Sequence, residues 1–143
     1  MASPLGRLEL LCDPGSLEPL RTGVVSTRLG DRSRPDDGVL AAAGRVDGRP
    51  MFCYSQDPSY LGGSLGEAHA GSIVRVMELA ARGGVPVVGF VESGGARLQE
   101  GHAALAGYGR IFRRSVELSA SVPQILTMAT FAAYDVRADG VRP

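Results

Sequence analysis

The spacing of apolar positions changes several times along the chain, and each change marks an element. Leu5 to Leu11 fits a short helix closed by the turn sequence Asp13-Pro14-Gly15-Ser16. Arg28 to Gly38 is polar, holds Pro35 and Gly38, and reads as an exposed loop. Val39 to Val46 and Pro50 to Gln56 are then expected to be strands. Asp47-Gly48 between them is a strong hairpin signal. Asp57 to Gly66 is a glycine-rich loop.

A helix is expected from about Glu67 to Arg82, where Ile73, Val76, Met77 and Ala80 recur at i, i+3, i+4 and i+7. Gly83-Gly84 ends it and Pro86 forbids its continuation. Val85 to Val91 is apolar without alternation, the pattern of a strand covered on both faces. The turn Ser93-Gly94-Gly95-Ala96 leads into a second helical stretch carried by Leu105, Tyr108, Ile111, Phe112, Ser115 and Leu118. Pro123 resets the chain, and Gln124 to Met128 reads as another buried strand. Helix, buried strand, glycine turn, helix and buried strand in that order predict βαβ crossovers and an α/β fold. Thr130 to Pro143 has no clear period, where a covering helix is expected.

Composition narrows the partners. Charges balance at 15 acidic and 15 basic residues, and every basic residue is Arg. Without a net positive charge or a basic run, nucleic acid is excluded as a partner class. The cysteines, Cys12 and Cys53, form no CxxC pair, so no zinc ribbon and no metal site is expected. Two isolated thiols fit a reducing compartment. The start MASPLGRLELL is neither a signal peptide nor a membrane span, and a cytoplasmic location is expected.

Candidate chemistry concentrates in two glycine turns. Glu92 to Gly101 follows a buried strand at its carboxyl end, where open α/β sheets place ligands. Gly94 and Gly95 allow a sharp turn and a close approach. Backbone N–H groups there suit an oxyanion or a phosphate, although a plain tight turn has the same pattern. Ser55 to Gly66 likewise follows a strand and precedes a helix, as a second pocket wall or as a flexible connector. His69 and His102 read as surface or internally satisfied histidines. Arg110, Arg113 and Arg114 read first as a solvated helix face, with contact to the phosphates of a ligand as the alternative. Ser93-Gly94-Gly95 is not a GxSxG elbow and no Ser-His-Asp order is evident, so nucleophilic hydrolysis is unsupported.

Taken in chain order, several segments form a more specific signature. They are DPGS (Asp13 to Ser16), DGVLAAAGRVDGRP (Asp37 to Pro50), SQDPSYLGGSLGEAHA (Ser55 to Ala70), VPVVGFVESGGARLQEG (Val85 to Gly101), LAGYGRIFRRSV (Leu105 to Val116) and VPQI (Val122 to Ile125). They resemble the carboxyltransferase (beta) subunit family of biotin-dependent acyl-CoA carboxylases, of the propionyl-CoA and acetyl-CoA types, over about residues 8–125. The resemblance implies a crotonase-like (ClpP/crotonase) fold and an incomplete N-terminal, acyl-CoA-binding domain, with 126–143 as a divergent tail.

It also implies the chemistry. Carboxybiotin on a partner carrier protein, loaded by a biotin carboxylase, releases its carboxyl group beside the acyl-CoA. The acyl-CoA loses an alpha proton, and its enolate attacks the carboxyl carbon. Backbone N–H groups steady the oxyanions. Carried over, Gly94, Gly95 and Ala96 supply such N–H groups, while Gly62, Gly63, Ser64 and Arg97 line the acyl-CoA pocket. The full-length family implies a homo-oligomer.

One departure stands out. After the strand following Pro123-Gln124 the family has a Gly-Pro-Cys-Ala-Gly-Gly-Ala type stretch, whereas here Met128 to Asp135 contains no glycine. That predicts a truncated or frame-shifted chain, inactive alone and with uncovered apolar sheet surface. A biotin-dependent decarboxylase subunit and a non-catalytic fragment are the alternative readings.

Overall fold

The computed structural model describes residues 3–128. Within them lie α1 (Pro4–Leu11), β1 (Glu18–Leu20), β2 (Val39–Val46), β3 (Arg49–Gln56), α2 (Glu67–Gly83), β4 (Val87–Val91), α3 (His102–Leu118) and β5 (Gln124–Met128), with single 3-10 turns at Gly30–Arg32, Pro35–Gly38, Leu61–Gly63 and Leu98–Glu100. The strands form one sheet in the order β1-β2-β3-β4-β5. The β1-β2 and β2-β3 pairs are antiparallel; β3-β4 and β4-β5 are parallel. The expected βαβ crossovers are therefore present, on a mixed sheet.

Alternation along the strands sorts side chains to two faces. Val39, Ala41, Tyr54 and Val87 pack under α2 and α3, against Ile73, Val76, Met77, Ala80 and Leu118. Ala42, Met51, Cys53 and Val88 pack on the other face against Leu8 and Cys12, in and just after α1. The two helices on the first face cross closely at Gly107, where a Cβ would lie 2.7 Å from Ala70 Cβ. Cys12 and Cys53 are both free thiols in the buried core.

The hairpin forms as its Asp-Gly turn predicts. Asp47 and Gly48 both have positive φ, +50° and +76°, as a two-residue primed turn requires. Asp13 in the DPGS turn fastens it, accepting hydrogen bonds from Asp47 N (2.9 Å) and Gly48 N (2.7 Å).

Two expectations change. β1 has no counterpart in the sequence reading; it is three residues long and contains Pro19, which an edge strand tolerates. β5 forms where expected but is not buried. Ile125 and Leu126 are each 53% exposed and Met128 61%. The cause is position: β5 is the sheet edge among the described residues, paired on one side with β4, and its link to α3 is made by Gln124, which bonds with Ser115. The expected uncovered apolar surface is present at this edge. The glycine-free stretch after Met128 and the rest of the tail lie outside the described residues. Among the described residues no helix is long and apolar enough to cross a membrane, and no group of side chains is disposed to hold a metal ion.

Candidate functional site

β3 and β4 are parallel neighbours, so the loops that leave their carboxyl ends emerge side by side. They are the two glycine segments singled out in the sequence. They pair as a short parallel ridge: Gly94 N donates to Gly62 O, Leu65 N to Gly95 O and Arg97 N to Leu65 O, each at 2.9 Å. Glycine is required where the loops touch. Gly63 has a φ of +70°, and a Cβ there would run into the Glu92 carbonyl oxygen.

This pairing decides which N–H groups face outward. Gly94 N–H is spent on Gly62. Gly95 N–H donates to Ser93 Oγ at 3.1 Å. Ala96 forms a parallel bridge with Leu65. In that geometry the residues on either side of Ala96 make the bonds, and its own N–H points away from Leu65. Ala96 is half-buried and its N–H makes no hydrogen bond to the described protein. Of the three backbone donors singled out in the sequence, Ala96 is the one left for a ligand.

Arg97 lies beneath the ridge, wholly buried. Its Nη1 donates to Asp37 Oδ1 (2.6 Å) and Glu100 Oε2 (2.7 Å), and its Nη2 to Ser64 O (2.9 Å) and Asp37 O (3.2 Å). The Tyr60 ring flanks it at 5.3 Å. The guanidinium packs so closely against the Gly66 backbone that a Cβ there would overlap it. Its donors thus point into the protein, onto groups drawn from both loops and from the Pro35–Gly38 turn.

Two buried carboxylates share this one cation. Burial pushes the Asp37 carboxyl above its ordinary value, the Glu100 charge adds to that, and Arg97 opposes it. Both carboxylates have a second task. Glu100 Oε1 accepts from Glu67 N (3.1 Å) and Asp37 Oδ2 from His69 N (2.9 Å). Glu67 and His69 are in the first turn of α2, whose cap residue Gly66 offers no side chain. Distant carboxylates therefore do the work of an N-cap.

His69 is satisfied internally, as expected. Nδ1 lies 3.1 Å from Asp37 O and Nε2 lies 3.0 Å from the Gln56 side-chain nitrogen. A neutral ring fits both contacts, with Nδ1–H donating to the carbonyl and Nε2 accepting from the amide. Burial, with Arg97 nearby, pulls its pKa down to about 3. Gln56 Oε1 in turn accepts from Glu92 N at 2.9 Å. Glu92 is ion-paired with Arg7 of α1. The chain of groups Asp37–His69–Gln56–Glu92 pins the start of α2 to the ends of β3 and β4. His102 is exposed. Arg113 and Arg114 are taken up by Glu117 and Glu78 on the helix surface.

Sequence reading found the glycines but missed Asp37, Gln56 and Glu100 as their supports. Asp37 lies 60 residues before Arg97, so no local pattern joins them. The spacing Arg97-Glu100 is the one signal that was present.

The family described as Carboxyl transferase domain matches residues 3–136. The chain belongs to this family. The propionyl-CoA carboxylase beta chain of Saccharopolyspora erythraea is 47% identical over 123 residues, covering 83% of this chain and 22% of that protein. That of Roseobacter denitrificans is 42% identical over 123 residues, covering 83% of this chain and 24% of that protein. Methylmalonyl-CoA decarboxylase subunit alpha of Veillonella parvula is 50% identical over 91 residues, covering 64% of this chain and 18% of that protein. Among solved structures, transcarboxylase 12S with methylmalonyl-CoA and methylmalonic acid bound superposes with a TM-score of 0.85 at 40% identity, covering 89% of this chain and 25% of that one. A Pseudomonas malonate decarboxylase hetero-tetramer with malonate gives 0.83 at 32% identity, covering 87% and 49%. The fold is thus the crotonase-like α/β fold of carboxyltransferases. The chain spans about a quarter of the length of the propionyl-CoA carboxylase relatives it matches.

Proposed function

We propose that this chain forms the acyl-CoA side of a carboxyltransferase site, serving carboxyl transfer from carboxybiotin to propionyl-CoA or acetyl-CoA. The observation that carries this reading is the unused Ala96 N–H, held at the carboxyl end of the parallel strands on a ridge that the neighbouring groups make rigid. A donor fixed there stabilises charge as it develops on a thioester oxygen, and fixed donors cost no reorganisation at the moment of reaction. Withdrawing electron density through that oxygen acidifies the alpha carbon, the atom that must lose a proton and take up the carboxyl group.

Gly62, Gly63 and Ser64 contribute the wall beside Ala96, and Gly94 and Gly95 contribute shape. Arg97 acts as a positioning residue, through the ridge and not on the substrate. Carboxybiotin enters as a substrate carried by a partner biotin carrier protein, loaded by a biotin carboxylase, and the assembly is a homo-oligomer in the cytoplasm. Names of relatives and of superposable structures, which include acyl-CoA carboxylase and transcarboxylase components, support the reaction class.

A second reading has its own observation. Met128 to Asp135 contains no glycine, so a second backbone oxyanion site of the glycine-pair kind is not encoded there. On that reading the chain binds acyl-CoA without transferring carboxyl groups. Titration of the chain with propionyl-CoA, followed by incubation with a carboxybiotin donor and detection of methylmalonyl-CoA, separates the two. Binding with transfer supports the first; binding without transfer supports the second; no binding refutes both. A methylmalonyl-CoA decarboxylation assay on the same protein tests the decarboxylase alternative.

A further inference from the structure

Cys12 and Cys53 belong to the core cluster between α1 and the sheet, and neither takes part in the glycine ridge. The fold brings them together from positions about 40 residues apart. Cys53 lies on β3 directly across from Ala42 on β2, and its Sγ is 3.7 Å from the Ala42 carbonyl oxygen. Gly44, two positions further along β2, shares the strand face of Ala42. A Cβ at Gly44 would sit 2.5 Å from Cys12 Sγ, so the missing side chain makes the space that the sulfur occupies. The chain around Cys12 is held on both sides: Cys12 N donates to Leu8 O at 3.0 Å, and Asp13 N to Arg45 O at 2.7 Å. The result is a pair of free thiols within hydrogen-bonding contact of each other. A disulfide needs Cβ atoms about 4 Å apart on backbone that does not have to move. Contact between the two sulfurs places the pair near that arrangement.

The two thiols differ in access. Cys12 lines a pocket of about 480 Å³ beside α1, together with Glu9, Asp13 and Leu17. Cys53 is wholly buried. Burial pushes both thiols up, Cys53 to about 12, while the hydrogen bond with Cys53 acts in the opposite sense on Cys12. Cys12 is therefore the sulfur that an oxidant reaches and Cys53 the one that resolves it. The carboxylates of Glu9 and Asp13 at the pocket disfavour an anionic oxidant such as glutathione disulfide. A small neutral peroxide is the reagent that fits. Thiols held protonated react slowly, so the pair answers sustained and not brief oxidation.

We propose that Cys12 and Cys53 form a peroxide-sensitive modification site that closes to a reversible disulfide, stapling α1 and the turn after it to β3. Cys12 gives up its proton and its sulfur attacks a peroxide oxygen. The O–O bond breaks, the sulfur becomes a sulfenic acid, and the departing hydroxide takes the proton and leaves as water. The Cys53 sulfur then attacks the sulfenic sulfur. The S–O bond breaks, and the oxygen leaves as a second water with the Cys53 proton. The peroxide gains two electrons and the thiol pair loses two; a dithiol reductant reverses the change. Arg7 on α1 is ion-paired with Glu92 at the root of the ridge, so the staple holds that contact as well. The proposal is independent of the acyl-CoA reading.

The test treats the whole reduced chain with hydrogen peroxide, blocks remaining thiols with N-ethylmaleimide in urea, and reads peptide masses. The expected result is one crosslink, between the peptides that contain Cys12 and Cys53, which dithiothreitol removes. No crosslinked dimer should appear on a non-reducing gel. The unfolding midpoint should rise by on the order of 10 °C, as closing a loop of this length predicts. Glutathione disulfide at the same concentration should give less product. In Cys53→Ala, dimedone should trap a sulfenic acid on Cys12; in Cys12→Ala, Cys53 should stay unlabelled. Circular dichroism confirms that the variants are folded. Maleimide on both cysteines after peroxide, a disulfide only between chains, or a crosslink that lowers the midpoint overturns the proposal. Dimedone on Cys53 in Cys12→Ala, with none on Cys12 in Cys53→Ala, overturns the assigned order, and equal product from glutathione disulfide overturns the choice of oxidant.

Discussion

Replacing Arg97 by methionine removes the guanidinium from between Asp37 and Glu100 while keeping a long apolar stem. In the native chain that side chain is wholly buried and contacts Asp37 Oδ1 at 2.6 Å and Glu100 Oε2 at 2.7 Å. Its loss leaves two carboxylates under the ridge with no cation against them. Breaking a buried pair from one side costs about 3–5 kcal/mol, a large part of the roughly 5–15 kcal/mol that holds a domain together. The cost should depend on pH in a defined sense. Asp37 already has a raised pKa, and removing Arg97 raises it further. Protonation then relieves the uncompensated charge, so the stability difference between parent and variant is largest near neutrality and shrinks as pH falls. Urea unfolding followed by circular dichroism at several pH values measures it. A loss below about 1 kcal/mol at neutral pH, or a loss that does not shrink on acidification, would refute the assignment of Arg97 as the counter-ion of this cluster. Arg97→Lys retains a charge but not the fork that reaches Ser64 O and Asp37 O, and should fall between the two.

His69 supplies a second pH handle. Its folded pKa of about 3 lies below the ordinary 6.5, so the unfolded chain takes up the proton first. Its contribution is complete above pH 6.5 and is lost as pH falls toward 3, by about 2 kcal/mol between pH 8 and pH 5. His69→Gln should flatten that part of the profile; an unchanged profile would contradict a neutral buried ring. Gly63→Ala places a Cβ against the Glu92 carbonyl at a positive φ. It should cost at least about 2 kcal/mol and abolish propionyl-CoA binding. A variant with parental unfolding and binding would show that the two loops are not in contact. Asp13→Ala removes the acceptor of two hairpin N–H groups and should cost about 1 kcal/mol in thermal or urea unfolding.

Elements set by local pattern were legible. The Asp47-Gly48 turn fixed the hairpin register, and the i, i+3, i+4, i+7 spacing of Ile73 to Ala80 fixed α2 and its buried face. The two glycine loops were legible as a candidate site because each follows a strand and precedes a helix or helical turn. Their mutual pairing was not, because it follows from β3 and β4 being parallel neighbours. Which N–H stays free depends on that pairing, so Gly94, Gly95 and Ala96 look equivalent in sequence and differ in the fold. Asp37, Gln56 and Glu100 were missed for the same reason. A carboxylate in a polar loop looks solvated until the chain brings Arg97 to it. β5 read as buried because its composition is apolar, and composition does not report whether a strand is central or at an edge.

The central claim is that the Ala96 N–H takes the thioester oxygen of an acyl-CoA. The most direct measurement is the amide spectrum of the isotope-labelled chain, recorded with propionyl-CoA and then with coenzyme A lacking the acyl group. The account predicts that propionyl-CoA shifts the Ala96 amide proton downfield and leaves Gly94, already bonded to Gly62, nearly unmoved, while coenzyme A alone does not shift Ala96. An Ala96 resonance unmoved by saturating propionyl-CoA, or moved equally by both ligands, would contradict it.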